Sequence, residues 1–259
     1  MENKTQKTPS KIFGVHAVAE AIESGQSIDK VFFQAGLRGD SIKNLERKLK
    51  ENQVPISYVP IEKLERLAKQ ENHQGVVASI SPVGFSNMEV VIPAIMEEIE
   101  NPLFLLLDEI SDVRNLGAIV RTAECTGVHA IILPKQGGAA INNETVKTSA
   151  GAIFNIPICK VAHLKDALFF LQSYEVQLIA ATEKSAQNVY EVNFRKPTAI
   201  IMGSEGKGVS PSILKMVDQK AKLPILGKIE SLNVSVACGA FLYEAVRQRN
   251  PEFSIQDSK

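Results

Sequence analysis

Apolar and polar residues follow two different patterns along this 259-residue chain. In residues 11–84, amphipathic segments alternate with short apolar runs, which predicts a small compact α/β domain. Residues 1–10 are almost wholly polar and predict a disordered tail. The predicted elements are helices at Val15–Ile22, Ser41–Lys50 (with Ser41 as N-cap) and Ile61–Gln70, and strands at Lys30–Gln34 and Gly75–Ile80.

From residue 102 onward the pattern changes to continuous apolar runs separated by predicted helical segments. The runs read LFLLL, HAIIL, IPICKV, VQLIAA and TAIIMG. Strands that are apolar on both sides and alternate with helices predict a parallel sheet covered on both faces. We therefore expect an α/β fold with a large domain at residues 102–259, joined to the first domain by a linker and short helix at residues 85–101.

The composition restricts the function without deciding it. The 29 Lys and Arg residues balance the 29 Asp and Glu residues, which argues against a protein that holds nucleic acid by phosphate charge alone. The cysteines and histidines are scattered without metal-ligand spacing, so we predict no metal site and no disulfide framework. No apolar run is long enough to span a bilayer and the N-terminus lacks a secretory signal pattern, so we expect a cytoplasmic protein without membrane contact.

The first candidate segment, DEISDVRNLGAIVRTAECTG, follows the LFLLL strand. In an open parallel sheet ligands bind at the carboxyl ends of the strands, so this loop is well placed for a site. We expect the following helix to begin near Asn115, with the Asn115 side chain as its cap, and to end at Gly127 in a left-handed conformation. Arg121 lies on this otherwise apolar helix, where an arginine is commonly a surface cation with a buried stem.

Two further segments carry candidate chemistry. The stretch AIIMGSEGKGVS places three glycines and Glu205 after a strand; this suggests a backbone that approaches a ligand closely, although a plain tight turn has the same composition. Its spacing matches neither the P-loop nor the G-x-G-x-x-G motif. The stretch LPILGKIESLNVSVACGAFLYE contains a helix predicted to begin near Asn233, for which Ser231 and Asn233 are capping candidates.

Three segments resemble, in this order, the three motifs of the SpoU family of RNA 2′-O-ribose methyltransferases, in the SPOUT superfamily. They are N-L-G-A-I-V-R, M-G-S-E-G-K-G and L-P-I-L-G-K-I-E-S-L-N-V-S-V-A. The resemblance covers residues 102–249. The stretch at residues 11–84, with FGVHAVAEAI and HQGVVASI, resembles the RNA-binding module of some members. The layout is similar to that of bacterial enzymes that methylate a guanosine ribose in 23S ribosomal RNA. One departure is Asp112-Val113, where the family usually has Asp-Pro.

The resemblance implies a fold, a cofactor and a set of site residues. The fold is a SPOUT-type parallel sheet domain with a deep C-terminal trefoil knot, and the cofactor is S-adenosyl-L-methionine. The implied partners are RNA and a second copy of the chain, since family members form homodimers with the active site near the subunit interface. Carried over by motif position, the cofactor contacts are Gly203, Leu223 and Leu232, and the catalytic set is Asn115, Arg121, Glu205, Ser231 and Asn233.

Two mechanistic roles remain open for Arg121. It could be a base that a special environment deprotonates, a proposal associated with the family, or a cation that binds the adjacent phosphate and stabilises a developing alkoxide. The second role is favoured, because a guanidinium has an ordinary pKa of roughly 12.5–13.8 and its planar fork suits a phosphate.

Other functions remain as alternatives. A tRNA ribose is the chief alternative substrate to ribosomal RNA. A non-catalytic RNA-binding or ribosome-assembly factor could keep the same fold, but the complete polar set argues against it. A nucleotide-binding hydrolase is disfavoured, because the sequence has no phosphate loop, metal cluster or nucleophile triad.

Overall fold

The computed structural model describes residues 11–69, 71–250 and 252. Two compact units are present among these residues: residues 11–84 with the short segment 140–143, and residues 85–139 with 144–250. The predicted tail at residues 1–10 lies outside the described residues and stays a prediction.

The first unit is a four-stranded sheet with helices on both faces. Its strands follow the order β1-β4-β2-β3; β2 and β3 are parallel, and β4 is antiparallel to β1 and β2. Helices α1 and α2 cover one face, and α3 lies on the other. The elements are β1 Lys11–Phe13, α1 Val15–Glu23, β2 Ile28–Gln34, α2 Asp40–Glu51, β3 Ile56–Val59, α3 Ile61–Ala68 and β4 Val76–Ile80.

The start of α2 differs from the prediction. The helix begins at Asp40, its N-cap position is Gly39 with a φ of 147°, and no side chain caps it. Ser41 is therefore already inside the helix, and the predicted Ser41 cap is wrong. At the end of α3, Lys69 adopts a left-handed conformation with a φ of 51°, so the helix ends at Ala68, two residues before the predicted end.

The second unit contains the parallel sheet that the apolar runs predict. Its strand order is β10-β8-β9-β5-β6-β7, and every pair is parallel. The strands are β5 Leu103–Leu107, β6 Ala130–Pro134, β7 Ile158–Val161, β8 Gln177–Ala181, β9 Thr198–Met202 and β10 Gln219–Ala221. The helices are α4 Met88–Glu98, α5 Val113–Cys125, α6 Asn143–Thr148, α7 Leu164–Ser173, α8 Pro211–Leu214 and α9 Val234–Arg249.

Both faces of this sheet are buried, as the continuous apolar strands require. Phe104 and Leu106 of β5 pack in one cluster with Ile92 of α4 and Leu168 of α7. The alternate residues of β5 point to the opposite face and are also fully buried. Helices α5 and α9 pack against each other.

The strand order reverses direction at the centre of the sheet. From β5 the chain proceeds outward through β6 and β7, and it then returns to the other side of β5 with β8 and β9. In open parallel sheets, ligands bind at the carboxyl ends of the strands next to such a reversal. The residues that follow β5, β8, β9 and β10 all emerge at this edge, so the topology brings together segments that are far apart in sequence.

Candidate active site

Three polar side chains from three segments meet at the carboxyl edge of the second sheet. The Asn115 side-chain amide donates to Glu205 Oε1 at 2.8 Å. Asn233 Nδ2 donates to the same Glu205 oxygen at 2.8 Å and to Asn115 Oδ1 at 3.1 Å. Each residue therefore contacts both others, and charge-assisted hydrogen bonds to the carboxylate fix the orientation of both amides. We call Asn115, Glu205 and Asn233 the polar triangle.

Asn115 is available for the polar triangle because another residue caps its helix. Helix α5 begins at Val113, and Asp112 Oδ1 accepts from the backbone N–H groups of Arg114 and Asn115 at 2.8 and 2.9 Å. The predicted Asn115 cap is therefore wrong. Val113 occupies the first helical position, where the N–H has no partner within the helix and proline is favoured. The Asp-Val departure from the family pattern thus preserves the Asp112 cap.

Asn233 has two roles at the start of α9, as its capping residue and as a member of the polar triangle. Its Oδ1 accepts from the backbone N–H groups of Ser235 at 2.9 Å and Val236 at 3.4 Å, and from Ser235 Oγ at 2.6 Å. Its amide nitrogen points the other way, into the polar triangle. The predicted cap is confirmed for Asn233, whereas Ser231 lies in the exposed segment before the helix and does not cap it.

Glu205 is carried on a tight glycine loop after β9. Ser204 and Gly208 exchange both backbone hydrogen bonds, at 3.2 and 2.9 Å, and Gly206 has a φ of 83°. At Gly203, a Cβ atom would lie 2.0 Å from the carbonyl carbon of Gly208. The loop's own close approach therefore requires the glycine at position 203, independently of any ligand.

A buried carboxylate that the sequence did not single out anchors the far end of this loop. Asp108 Oδ2 accepts from the backbone N–H of Ser210 at 2.7 Å, and the Asp108 N–H donates to the Met202 carbonyl at 2.8 Å. Asp108 directly follows β5 and therefore joins that strand to both ends of the loop. The position of an acidic residue right after a buried strand was the available signal, but its partner depends on the pairing of β5 with β9.

A cleft of about 560 Å³ opens beside the polar triangle. It is lined by most of the predicted site residues, which are Gly203, Glu205, Leu223, Ser231, Leu232 and Asn233. The sequence interpretation missed Thr182, Glu183, Lys222, Glu230 and Phe241, which also line the cleft. Thr182 and Glu183 follow β8 directly, so the rule that sites form at carboxyl strand ends could have found them.

Arg121 is the one predicted site residue that the fold leaves away from this centre. It lies on α5 six residues after Asn115, which places it about 120° around the helix. Its side chain is exposed, it does not line the cleft, and it makes no hydrogen bond or ion pair with any other described residue. Within one chain, the structure brings together the other predicted residues but not Arg121.

The cysteines, histidines and carboxylates of the described ranges form no metal site, and two of the cysteines are buried. Within residues 11–69, 71–250 and 252, no three His, Cys, Asp or Glu side chains are placed to hold a metal ion. Burial raises the pKa of Cys159 to about 11 and that of Cys238 to about 12, which keeps both as unreactive thiols at neutral pH. Among the described helices, none has the length and apolar character needed to span a membrane.

Comparison with known families matches both units. The sequence model of the SpoU rRNA methylase family matches residues 102–243. The model described as "RNA 2′-O ribose methyltransferase substrate binding" matches residues 11–85.

Individual relatives match over most of their length. The 23S rRNA (guanosine-2′-O-)-methyltransferase RlmB of Ralstonia nicotianae is 34% identical over 241 residues, which are 92% of this chain and 96% of that protein. The structure of an AdoMet-bound rRNA methyltransferase from Sinorhizobium meliloti has a TM-score of 0.58 at 25% identity, covering 92% of this chain and 86% of that one. The A. aeolicus TrmH/SpoU tRNA modifying enzyme has a TM-score of 0.54 at 34% identity, covering 63% of this chain and 85% of that one. The chain therefore belongs to the SpoU rRNA methylase family, whose members are RNA 2′-O-methyltransferases that use S-adenosylmethionine.

Proposed function

We propose that this chain methylates the ribose 2′-hydroxyl of a guanosine in 23S ribosomal RNA. The observation that carries the proposal is the polar triangle of Asn115, Glu205 and Asn233 beside a cleft of cofactor size. We favour 23S rRNA over tRNA because of the share of this chain with which each relative aligns. The RlmB relative aligns with both units, whereas the A. aeolicus tRNA modifying enzyme aligns with 63% of the chain. A tRNA ribose stays the second candidate, because that shorter match is equally high at 34% identity.

The cleft suits S-adenosylmethionine in size and in charge. Its volume of about 560 Å³ lies within the range of roughly 300–1,000 Å³ that is usual for small-molecule sites. Met202 and Phe241 supply apolar walls. Three lining carboxylates, Glu183, Glu205 and Glu230, outnumber the single lining lysine, Lys222, and a negative lining favours a cationic sulfonium. The bound cofactor supplies an activated methyl group, and we infer that Gly203, Leu223 and Leu232 hold it.

The polar triangle would position the ribose for in-line transfer. Glu205 accepts two amide hydrogen bonds on one oxygen, Oε1, so its other oxygen is available for a ribose hydroxyl. Helices α5 and α9 fix the two asparagines, and positioning of this kind accounts for a large part of catalysis in group transfer. Ser231, on the cleft wall beside Asn233, would contact the same nucleotide.

We infer that the active form is a homodimer in which Arg121 of one subunit completes the site of the other. Arg121 lies outside the cleft of its own chain. On the neighbouring helix α9, Val236 and Tyr243 are exposed, with 58% and 57% of their surfaces accessible. These residues are seven positions apart and share one side of the helix, which supports an interface along α5 and α9. In the partner's site, the Arg121 fork would bind the phosphate next to the target ribose.

The domain organisation, the knot and the cellular location are proposed from the family to which the chain belongs. We propose that residues 11–84 form the RNA-binding domain, that residues 85–101 form a linker and short helix, and that residues 102–259 form the catalytic domain. A C-terminal trefoil knot around the segments after β9 and β10 is part of the same proposal, and it is supported by the way both segments line one cleft. Because ribosomal RNA is the proposed substrate, we place the protein in the cytoplasm.

The test is methylation mapping in a strain from which the gene is deleted. We expect a single guanosine of 23S rRNA to lose its 2′-O-methyl group, and the wild-type gene but not a Glu205→Ala variant to restore it. The purified protein should also transfer labelled methyl to unmodified 23S rRNA and not to total tRNA. Loss of a tRNA modification instead would transfer the proposal to the second candidate. Intact methylation of all RNA would favour a non-catalytic assembly factor.

A further inference from the structure

Two rows of side chains cross the face of the first sheet that carries α3. Strand pairing places Lys11, Ser79 and Lys30 side by side on β1, β4 and β2. Two residues further along each strand, Phe13, Val77 and Phe32 form the next row. Directly opposed residues share a face, and a step of two residues keeps that face. A basic row therefore lies beside an aromatic row.

Helix α3 covers the aromatic row only in part and adds charge to the basic row. Leu64 and Ala68 of α3 pack on Val77, with Phe13 and Phe32 half-buried at the edge. Lys63 of α3 and Lys30 of β2 both extend over the Phe32 ring, with their Nζ atoms 5.8 and 5.4 Å from its centre.

Lys11 is held in the same region. Its Nζ donates to the Leu67 carbonyl at 2.8 Å, and burial together with the nearby charge of Lys69 lowers the pKa of Lys11. We call Lys11, Lys30, Lys63 and Lys69, with the Phe32 ring beneath Lys30 and Lys63, the lysine face.

The ammonium groups of the lysine face lie close together without a salt bridge to any described residue. Across the described part of the chain, none of these four lysines forms an ion pair with a carboxylate. On α3, Glu65 lies roughly 200° around the helix from Lys63 and one turn before Lys69, with which it forms no salt bridge. Several ammonium groups held close together repel one another, so folding leaves an electrostatic cost that an anionic partner would remove.

We propose that the lysine face binds the phosphate backbone of the substrate RNA. This inference rests on the proposed function, in which the first unit supplies RNA affinity, and it assigns that affinity to one surface. The basic row spans about 10 Å across three strands, and the half-buried Phe32 ring keeps Lys30 and Lys63 extended and ordered. Backbone contacts of this kind position an RNA without reading its sequence.

The rival surface is the exposed side of α2, which carries Lys43, Arg47 and Lys50. There the basic residues are interspersed with acids: Lys48 pairs with Glu23, and Glu46 accepts from Tyr58. Mixed charges of this kind are typical of a solvated helix surface. The α2 lysines therefore provide a matched control, because removing two of them changes the net charge of the unit by the same amount.

The experiment compares the full-length variant Lys30→Gln/Lys63→Gln with the control Lys43→Gln/Lys50→Gln. Binding to 23S rRNA from the deletion strain is measured over a salt series. Each lost phosphate contact lowers the salt slope by about 0.7–0.9, so the lysine-face variant should lose about 1.5 from its slope and bind about tenfold more weakly at physiological salt. The control should bind like the wild type. Cofactor affinity, measured by calorimetry, should be unchanged in both variants.

An unchanged slope in the lysine-face variant, or an equal loss in the control, would overturn the assignment. The proposed function is tested separately, by methyl transfer from the wild-type protein to the same RNA. If the wild type methylates the RNA while both variants bind normally, only the lysine face is wrong. If the wild type binds no RNA, both proposals fail. Should the double variant melt early, Lys63→Gln alone, at an exposed position, is expected to lower the slope by about half as much.

Discussion

Asn233 donates a hydrogen bond to Glu205 Oε1 at 2.8 Å while its own Oδ1 caps helix α9. One side chain thus links the first turn of a rigid helix to the glycine loop after β9. The amide nitrogen donates within the polar triangle, whereas the amide oxygen stabilises the start of helix α9. Substitutions that change one end of the side chain can therefore separate the two roles.

Asn233→Asp should abolish activity without unfolding the protein. An aspartate still caps the helix, but it donates no hydrogen bond to Glu205 and adds a second negative charge beside it. We expect single-turnover methyl transfer to fall about 100-fold or more. Asn233→Ala should lose activity and also about 1 kcal/mol of unfolding free energy, because it removes the cap. Ser235→Ala, which removes a contact to Asn233 alone, is the control, and an active Asn233→Asp variant would contradict the assigned role.

Arg121→Ala should abolish methyl transfer with little effect on stability or cofactor affinity, because the side chain is exposed and does not line the cleft. Arg121→Lys separates the two roles that remain open. If Arg121 clamps a phosphate, the lysine variant should be badly impaired at every pH, because it lacks the planar fork. If Arg121 is the base, activity should recover as the pH rises towards the ordinary lysine pKa of about 10.4. The measurement is single-turnover transfer from about pH 7 to 10.

Mixed dimers test whether Arg121 acts across the subunit interface. Arg121→Ala and Asn233→Asp chains, each inactive alone, are mixed and allowed to exchange subunits. If Arg121 serves the partner's site, each mixed dimer contains one intact site, so the mixture should recover about a quarter of the wild-type sites. If Arg121 serves its own chain, both sites of the mixed dimer are damaged and the mixture stays inactive. A monomer by analytical ultracentrifugation would also refute the dimer.

Asp108→Ala should weaken both cofactor binding and the fold. The buried carboxylate accepts from Ser210 N–H at 2.7 Å, and its removal leaves that donor without its partner, at a cost of about 1–3 kcal/mol. Because the loop lines the cleft, we expect the dissociation constant of S-adenosylmethionine to rise about tenfold or more. Asp108→Asn keeps an acceptor oxygen, so its cofactor affinity should lie between those of the wild type and Asp108→Ala. An unchanged cofactor affinity in Asp108→Ala would show that the loop needs no anchor.

Stability should decrease below about pH 6.5 through His129. Burial lowers the pKa of His129 below its ordinary value of 6.5, and the charge of Arg249 lowers it further. The unfolded chain then binds a proton more readily than the folded chain, so the stability that is present above pH 6.5 is lost as the pH falls towards the lower folded value. Denaturant unfolding from about pH 5 to 8 should show this loss. The loss should be smaller in His129→Gln; an equal pH dependence in that variant would exclude His129.

Local patterns predicted the sheet and part of the site. Continuous apolar strands specified the parallel sheet, and Asn233 was identified as a cap from its position before a helix. Asn115 was misassigned as a cap because the helix begins two residues earlier, at Val113, where Asp112 accepts from the N–H groups of Arg114 and Asn115. Asp108 was missed because its partner, Ser210, becomes its neighbour only when β9 pairs with β5.

Position 203 has no room for a side chain. Any side chain there would collide with the returning backbone at Gly208 and Val209, so folding excludes other residues before catalysis is considered. Natural selection would therefore preserve this glycine even in a descendant that had lost its enzymatic activity. An unchanged glycine at position 203 is evidence that the loop is intact, whereas retention of Glu205, whose side chain no such collision constrains, is the better indicator that the chemistry has survived.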